Sequence, residues 1–314
     1  MTAEPRGRDA IRAANQPATE LDLAAAVAMT VLCLCWGLQQ VAVKAALAGM
    51  PPILQCGLRS ALAAALVWGW ATWRGVPIFA RDGTLLPGLL AGALFAAEFG
   101  LIYVGLGHTT ASRGVLFIYT APFMVAIGAH VLIPGERLGA IQVLGLVCAF
   151  AGVALAFGDA LRLPTARELA GDAMLLVAAA FWAATTLLIK TTRLVRAPAE
   201  KVLLYQLAVS ALTLTPLSPL LGEAAAGPLD ATVLVAFAFQ TLVVAFASYL
   251  AWFRLVAKYP AGRLSAFSFL TPLFGVLAGA LLLGERVSAF LVLSLVLVCA
   301  GIFLVNRRQP ARRG

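Results

Sequence analysis

Charge is what this 314-residue chain has least of. Asp, Glu, Lys and Arg make up 12% of it, about half of the ~25% usual in soluble domains. A soluble fold of that composition would leave greasy surface facing water, which excludes a cytosolic enzyme, a secreted disulfide scaffold and a disordered regulator. Histidine occurs twice, and the five cysteines (Cys33, Cys35, Cys56, Cys148 and Cys299) are scattered through apolar runs. Neither zinc spacing nor a disulfide framework can be drawn from them, so no metal and no cofactor is expected. The chain has no HExxH pair, Walker lysine loop or GxSxG elbow, which removes the best-marked enzyme classes and direct ATP use. It also lacks the large loops a receptor or scaffold would need.

What is present is a 62% hydrophobic sequence that falls into ten apolar runs, each near the ~20 residues of a membrane span. They cover about 23–48, 52–72, 84–106, 111–133, 138–158, 170–191, 199–221, 231–256, 262–283 and 287–306. Backbone amides in lipid are satisfied within a helix, and strand alternation is missing, so an all-α polytopic membrane protein is expected rather than a barrel. Residues 1–21 are polar and read as a disordered N-terminus, with no cleavable signal ahead of the first span. The net charge of +9 is dispersed through short loops, so it signals membrane orientation rather than nucleic acid. With both termini in the cytoplasm, 16 of the 23 Lys and Arg fall inside and 4 (Arg113, Arg162, Arg167, Arg286) outside, while Lys44, Arg59 and Lys190 lie within helices. That ratio follows the positive-inside bias and supports ten spans.

The chain repeats itself. Trp36 precedes Lys44 by eight residues, as Trp182 precedes Lys190. Arg113 precedes Pro122 by nine, as Arg263 precedes Pro272, and Gly135-Glu136-Arg137 finds its counterpart in Gly284-Glu285-Arg286. The offsets are 146, 150 and 149 residues. Each copy holds five helices, an odd number, so the second enters the membrane from the opposite side. Such inverted repeats suit alternating access. The expected units are a first repeat over 22–158, an extracytoplasmic linker at 159–169, a second repeat over 170–306 and a basic tail at 307–314.

At these residues the chain resembles the drug/metabolite transporter superfamily, and within it the ten-helix EamA family. Trp36-Gly37 with Lys44, Pro51 with Arg59, Pro122 with Glu136, and the second set ending at Pro272 and Glu285 carry the resemblance over nearly all of 22–306. Ala183 in place of a glycine and Gln206 near the place corresponding to Arg59 are departures in the second half. The resemblance implies export of small metabolites, amino acids included, across the cytoplasmic (inner) membrane without ATP hydrolysis.

Charged groups inside spans are costly and mark function by default. Glu98 and Arg59 lie at similar depth, ~12–13 Å from the outer end of their helices at 1.5 Å per residue. They form either a structural ion pair or a site in which Glu98 meets a substrate amine or a proton. Trp36, Gln40 and Lys44 share one helix face, as do Trp182, Thr186 and Lys190, and such a stripe faces protein or water rather than lipid. Tyr119, Gln240, Tyr249 and Trp252 complete the candidate cavity, and Pro122 and Pro272 are paired hinge candidates. Gly88 with Gly92, and Gly275 with Gly279, permit close helix contact. His108 and His130 are expected at interfaces, and Glu136 and Glu285 at helix starts. The set suits a zwitterion with an apolar or aromatic side chain, hence an amino acid. Lipophilic cationic drugs, with Glu98 as counter-ion, and a passive channel are the alternatives. The partners expected are the substrate, the bilayer and, where protons are coupled, the proton carried by Glu98. A monomer is sufficient.

Overall fold

The computed structural model describes residues 21–106, 108–109, 111–157, 163–223, 227–283 and 289–307. Residues 1–20, part of the 159–169 linker, the tail from 308, and Gly284, Glu285 and Arg286 lie outside the described residues, as do the side chains of Gln40 and Lys44. All described elements are helical: α1 Leu23–Ala46, α2 Pro52–Trp73, α3 Leu85–Leu106, α4 Ala111–Ile118, α5 Ala121–Leu132, α6 Ala140–Phe157, α7 Ala166–Thr191, α8 Ala199–Leu220, α9 Ala231–Ala238, a π-helical stretch Phe239–Ser248, α10 Tyr249–Lys258, α11 Ala261–Phe267, α12 Leu270–Leu283 and α13 Ala289–Asn306. Among the described residues seven segments are long and apolar enough to cross a membrane, and Ala140–Ala156 and Val292–Asn306 are shorter apolar helices.

Helix ends follow local chemistry. Thr165 and Glu168 form a reciprocal capping box, so α7 starts at Ala166, four residues before the apolar run suggests. The Glu223 carboxylate accepts from the amides of Ile53 and Leu54 at 2.8 and 3.0 Å, placing negative charge on the N-terminus of α2. Pro122 and Pro272 do more than kink their helices. Each has no N–H to offer the preceding turn, and the helix stops there, at Tyr119-Thr120 between α4 and α5 and at Ser268-Phe269 between α11 and α12. The expected fourth and ninth runs are thus broken helices, and the eighth is continuous through a π-helical middle.

The molecule is inverted relative to a soluble protein. Leu86, Leu212, Val131 and Trp73 are more than 70% exposed on a surface suited to lipid, while Arg59, Gln55, Gln206 and Gln240 are fully buried. Small residues allow the inner helices to touch. A Cβ on Gly37 of α1 would lie 2.8 Å from the Gly275 nitrogen of α12, and one on Gly92 of α3 would lie 2.7 Å from the Tyr205 carbonyl of α8. The glycine pair of α3 therefore faces inward.

Candidate functional site

Four of the sequence candidates meet along one aromatic chain. The Trp36 indole N–H of α1 donates to the Ser248 hydroxyl at 2.9 Å. Its ring meets the edges of Trp252, at 5.7 Å, and Tyr249, at 6.5 Å. Tyr249 then meets Phe95 of α3 at 6.0 Å, Phe95 meets Phe99 at 4.7 Å, and the Arg59 guanidinium of α2 lies 4.9 Å over the Phe99 ring. Ser248 and Tyr249 mark the end of the π-helical stretch, an irregularity that recurs at functional sites.

Glu98 lies on α3 beside Phe99 and within electrostatic reach of Tyr249 and Cys56. It is 8% exposed. Among the described residues it has no ion pair or hydrogen bond. Arg59 is 0% exposed. Its Nη2 makes a weak 3.5 Å contact to Cys56 Sγ, and its Nε and Nη1 have no partner. The ion pair envisaged between Arg59 and Glu98 is not formed. Equal depth was a sound inference, but α2 packs chiefly on α8 and α3 on α7 and α8. The guanidinium stacks on Phe99 instead of reaching the carboxylate. A guanidinium and a carboxyl group thus stand without an ion-pair partner in one core, an arrangement that is costly for their charged forms unless something else supplies partners.

Tyr119 and Trp182 form a second pair, edge to face at 6.1 Å, with Tyr119 presented by the break between α4 and α5. The same hydrophobic cluster holds both this pair and the Trp36 group. Gln240 donates its amide to the Ala42 carbonyl of α1 at 3.2 Å, which ties the π-helical stretch to α1. Sequence reasoning missed Gln55, Phe95, Phe99 and Tyr103. Phe95, Phe99 and Tyr103 recur every four residues around Glu98, and Gln55 precedes Arg59 by four, so helical spacing alone would have found them.

The cluster is closed from both ends. On one face the Lys190 ammonium donates to the Tyr259 carbonyl at 2.6 Å and pairs with Glu136 at 3.6 Å. The Tyr259 hydroxyl donates to Asp22 at 2.7 Å. That bond and the Ala25 amide hold the Asp22 carboxyl below its ordinary range. The same face carries Lys201 with Asp82 and Arg254 with Glu200. On the opposite face Asp172 receives Arg113 and, at 2.7 Å, the Thr109 hydroxyl. His108 and His130 are each bonded locally to backbone. A recess of about 580 Å³ between α1 and α9 is almost wholly apolar and is lined by none of the candidates. Among the described residues no group of His, Cys, Asp and Glu could hold a metal ion.

Comparison with known proteins agrees with this architecture. The EamA-like transporter family matches the chain twice, over residues 23–158 and 169–307. The "Uncharacterized transporter YvbV" of Bacillus subtilis is 26% identical, covering 92% of this chain and 93% of its own. The "Probable amino-acid metabolite efflux pump" of Escherichia coli is 28% identical, covering 86% and 90%. A solved crystal structure superposes with a TM-score of 0.77 at 19% identity, over 90% of this chain and 96% of that one, which concerns the fold alone. Two matches to one family of transporters, on a membrane-suited helical fold, and relatives that are themselves named as transporters give the conclusion: the chain belongs to the EamA-like transporter family of the drug/metabolite transporter superfamily, and it is a membrane transporter, not an enzyme.

Proposed function

We propose that the protein is a secondary exporter that carries small metabolites, amino acids foremost, across the cytoplasmic membrane by alternating access. The observation that carries this reading is that Arg59 and Glu98 are both buried, and not paired with each other, in an aromatic-lined core. A zwitterion supplies both missing counter-charges, and the rings of Trp36, Trp252 and Tyr249 receive an apolar or aromatic side chain. A relative named as an amino-acid metabolite efflux pump supports the same substrate class. Lipophilic cations fit less well, because buried Arg59 opposes them.

In this reading ten spans form two inverted five-helix repeats, over 22–158 and 170–306, joined by a linker at 159–169, with both termini cytoplasmic. The double family match, the paired broken helices and the gathering of basic loops on one face support it. The breaks at Pro122 and Pro272 act as hinges, Trp182, Tyr119 and Gln240 border the path, and one copy suffices. Glu98 is the carrier where protons are coupled.

Counterflow in proteoliposomes tests the proposal. Vesicles loaded with unlabelled amino acid mixtures and given labelled ones, with and without a pH gradient, should show saturable exchange. Linear, non-saturating flux would make the protein a channel. Absence of amino acid flux together with saturable uptake of a lipophilic cation would overturn the substrate class.

A further inference from the structure

The geometry points to a carboxylate-recognition pocket made by Gln55 and Arg59 on α2 and roofed by Phe99 and Tyr103 on α3. It rests on the exporter reading and specifies how that site reads its substrate. Gln55 and Arg59 are one helical turn apart on the same face, and both are 0% exposed. Four of their polar atoms have no partner: Gln55 Nε2 and Oε1, and Arg59 Nε and Nη1. Buried polar atoms are satisfied in the great majority of cases, so this concentration on one turn marks a place where a ligand completes the bonding. Three of the four atoms bear N–H donors, and a carboxylate offers two oxygens with about four acceptor sites. The guanidinium presents its donors in a planar fork that matches such a group. Phe99 lies against the guanidinium face at 4.9 Å and so fixes its plane. Phe99 and Tyr103 both pack on the cluster that contains Cys56. The remaining atom, Gln55 Oε1, is an acceptor and suits the ammonium of an amino acid.

The charge balance narrows the ligand further. Arg59 is a single cation, so a dianion would leave one of its charges unmatched. Phosphate, at roughly −1.5 to −2 near pH 7, would be under-compensated, whereas a monovalent carboxylate is matched. Both side chains are fully buried, so a ligand reaches them only when the helices around them part.

Thermal stabilisation of the full-length protein in detergent tests this with four probes: L-phenylalanine, L-phenylalaninamide, 3-phenylpropanoate and inorganic phosphate. The expected result is that L-phenylalanine and 3-phenylpropanoate raise Tm while the amide and phosphate do not. Gln55→Leu should fold, since it removes unsatisfied buried atoms, and should weaken phenylalanine binding about 10-fold or more, the scale of a hydrogen bond to a charged group. Arg59→Lys should weaken it further. Equal stabilisation by phenylalanine and its amide, unchanged affinity in Gln55→Leu, or stabilisation by no carboxylate at all would overturn the pocket. Stabilisation by 3-phenylpropanoate without phenylalanine would keep the pocket and remove the amino acid reading.

Discussion

Replacing Gly37 by Ala tests the crossing on which the site is built. The added Cβ would lie 2.8 Å from the Gly275 nitrogen, 2.9 Å from Phe274 Cβ and 2.9 Å from the Thr271 carbonyl oxygen. Carbon atoms at rest sit about 3.5–4.0 Å apart, so α1 and α12 must separate by roughly 0.5–1 Å. Two of the three obstacles are backbone atoms, which no rotamer change can move aside. Overpacking of this kind costs about 1–3 kcal/mol. Gly69 of α2 provides the control, because a Cβ there meets nothing within 4 Å and its helix position gains about 0.5–1 kcal/mol from alanine. Thermal unfolding in one detergent should therefore lower Tm for Gly37→Ala and hold or raise it for Gly69→Ala. Gly37 precedes no ordinary stretch: its partners Thr271 and Gly275 flank Pro272, directly after the break between α11 and α12. Counterflow should slow in Gly37→Ala and not in Gly69→Ala. Equal Tm shifts of the same sign would refute the packing argument, and normal transport in a destabilised Gly37→Ala would detach the crossing from the transport cycle.

Three further outcomes follow from the charged groups. Glu98→Gln should leave Tm nearly unchanged and abolish the pH dependence of flux, and persistence of proton coupling in that variant would remove Glu98 as carrier. Lys190 and Glu136 have side chains 8% and 14% exposed, so a double-mutant cycle on Lys190→Met and Glu136→Gln should show coupling of ~1 kcal/mol or more, and additive losses would mean the contact closes nothing. Asp82 is held at about 2, first by the Thr84 hydroxyl and then by Lys201. Its folded-state value is below the unfolded ~3.9, so its stabilising contribution is complete above about pH 4 and is lost as pH falls through about 2. The Tm gap between wild type and Asp82→Asn should therefore be constant at pH 5–7 and close between pH 4 and 2, and a gap that widened in acid would refute the assignment.

The positions of the helices were legible because lipid imposes one rule, continuous apolar length, and the runs ending near Trp73, Leu106 and Leu220 obey it closely. The interruptions were less legible. Pro122 and Pro272 announced a disturbance, yet whether a freed carbonyl bends a helix or ends it depends on what packs around the turn, which sequence does not state. The π-helical stretch Phe239–Ser248 has no residue signature, since its register is set by neighbours. Thr165 and Glu168 did carry a signal, a capping box that hydropathy overlooked. Trp36, Arg59, Tyr249 and Trp252 lie along one chain of ring contacts, with Glu98 beside Phe99 on α3. The failure was one of pairing. Depth along two helices fixes one coordinate, whereas an ion pair needs three, and the azimuth of Arg59 turned it onto Phe99.

In the proposed exporter the closing contacts repeat and the binding groups do not, and the proposed function accounts for both. The Thr109 hydroxyl bonds Asp172 and the Tyr259 hydroxyl bonds Asp22, each at 2.7 Å on opposite faces. The two pairs are related by the same step of 150 residues in both members. A carrier whose halves exchange roles needs matched closures at its two faces, and on the proposed alternating access these two pairs would serve as them. The binding groups follow no such rule. Gln206 stands near the place corresponding to Arg59, with its amide returned to the Val202 carbonyl of its own helix. Arg59 and Glu98 both belong to the first half. An amino acid has no two-fold axis: its carboxylate and ammonium differ in sign and geometry. A site duplicated in both halves would present two arginines and two glutamates to a ligand that can satisfy one of each, leaving buried charge unpaired in the loaded state as well. Divergence at the proposed binding positions, with retention of the repeated closures, is what the proposed export of an amino acid would require.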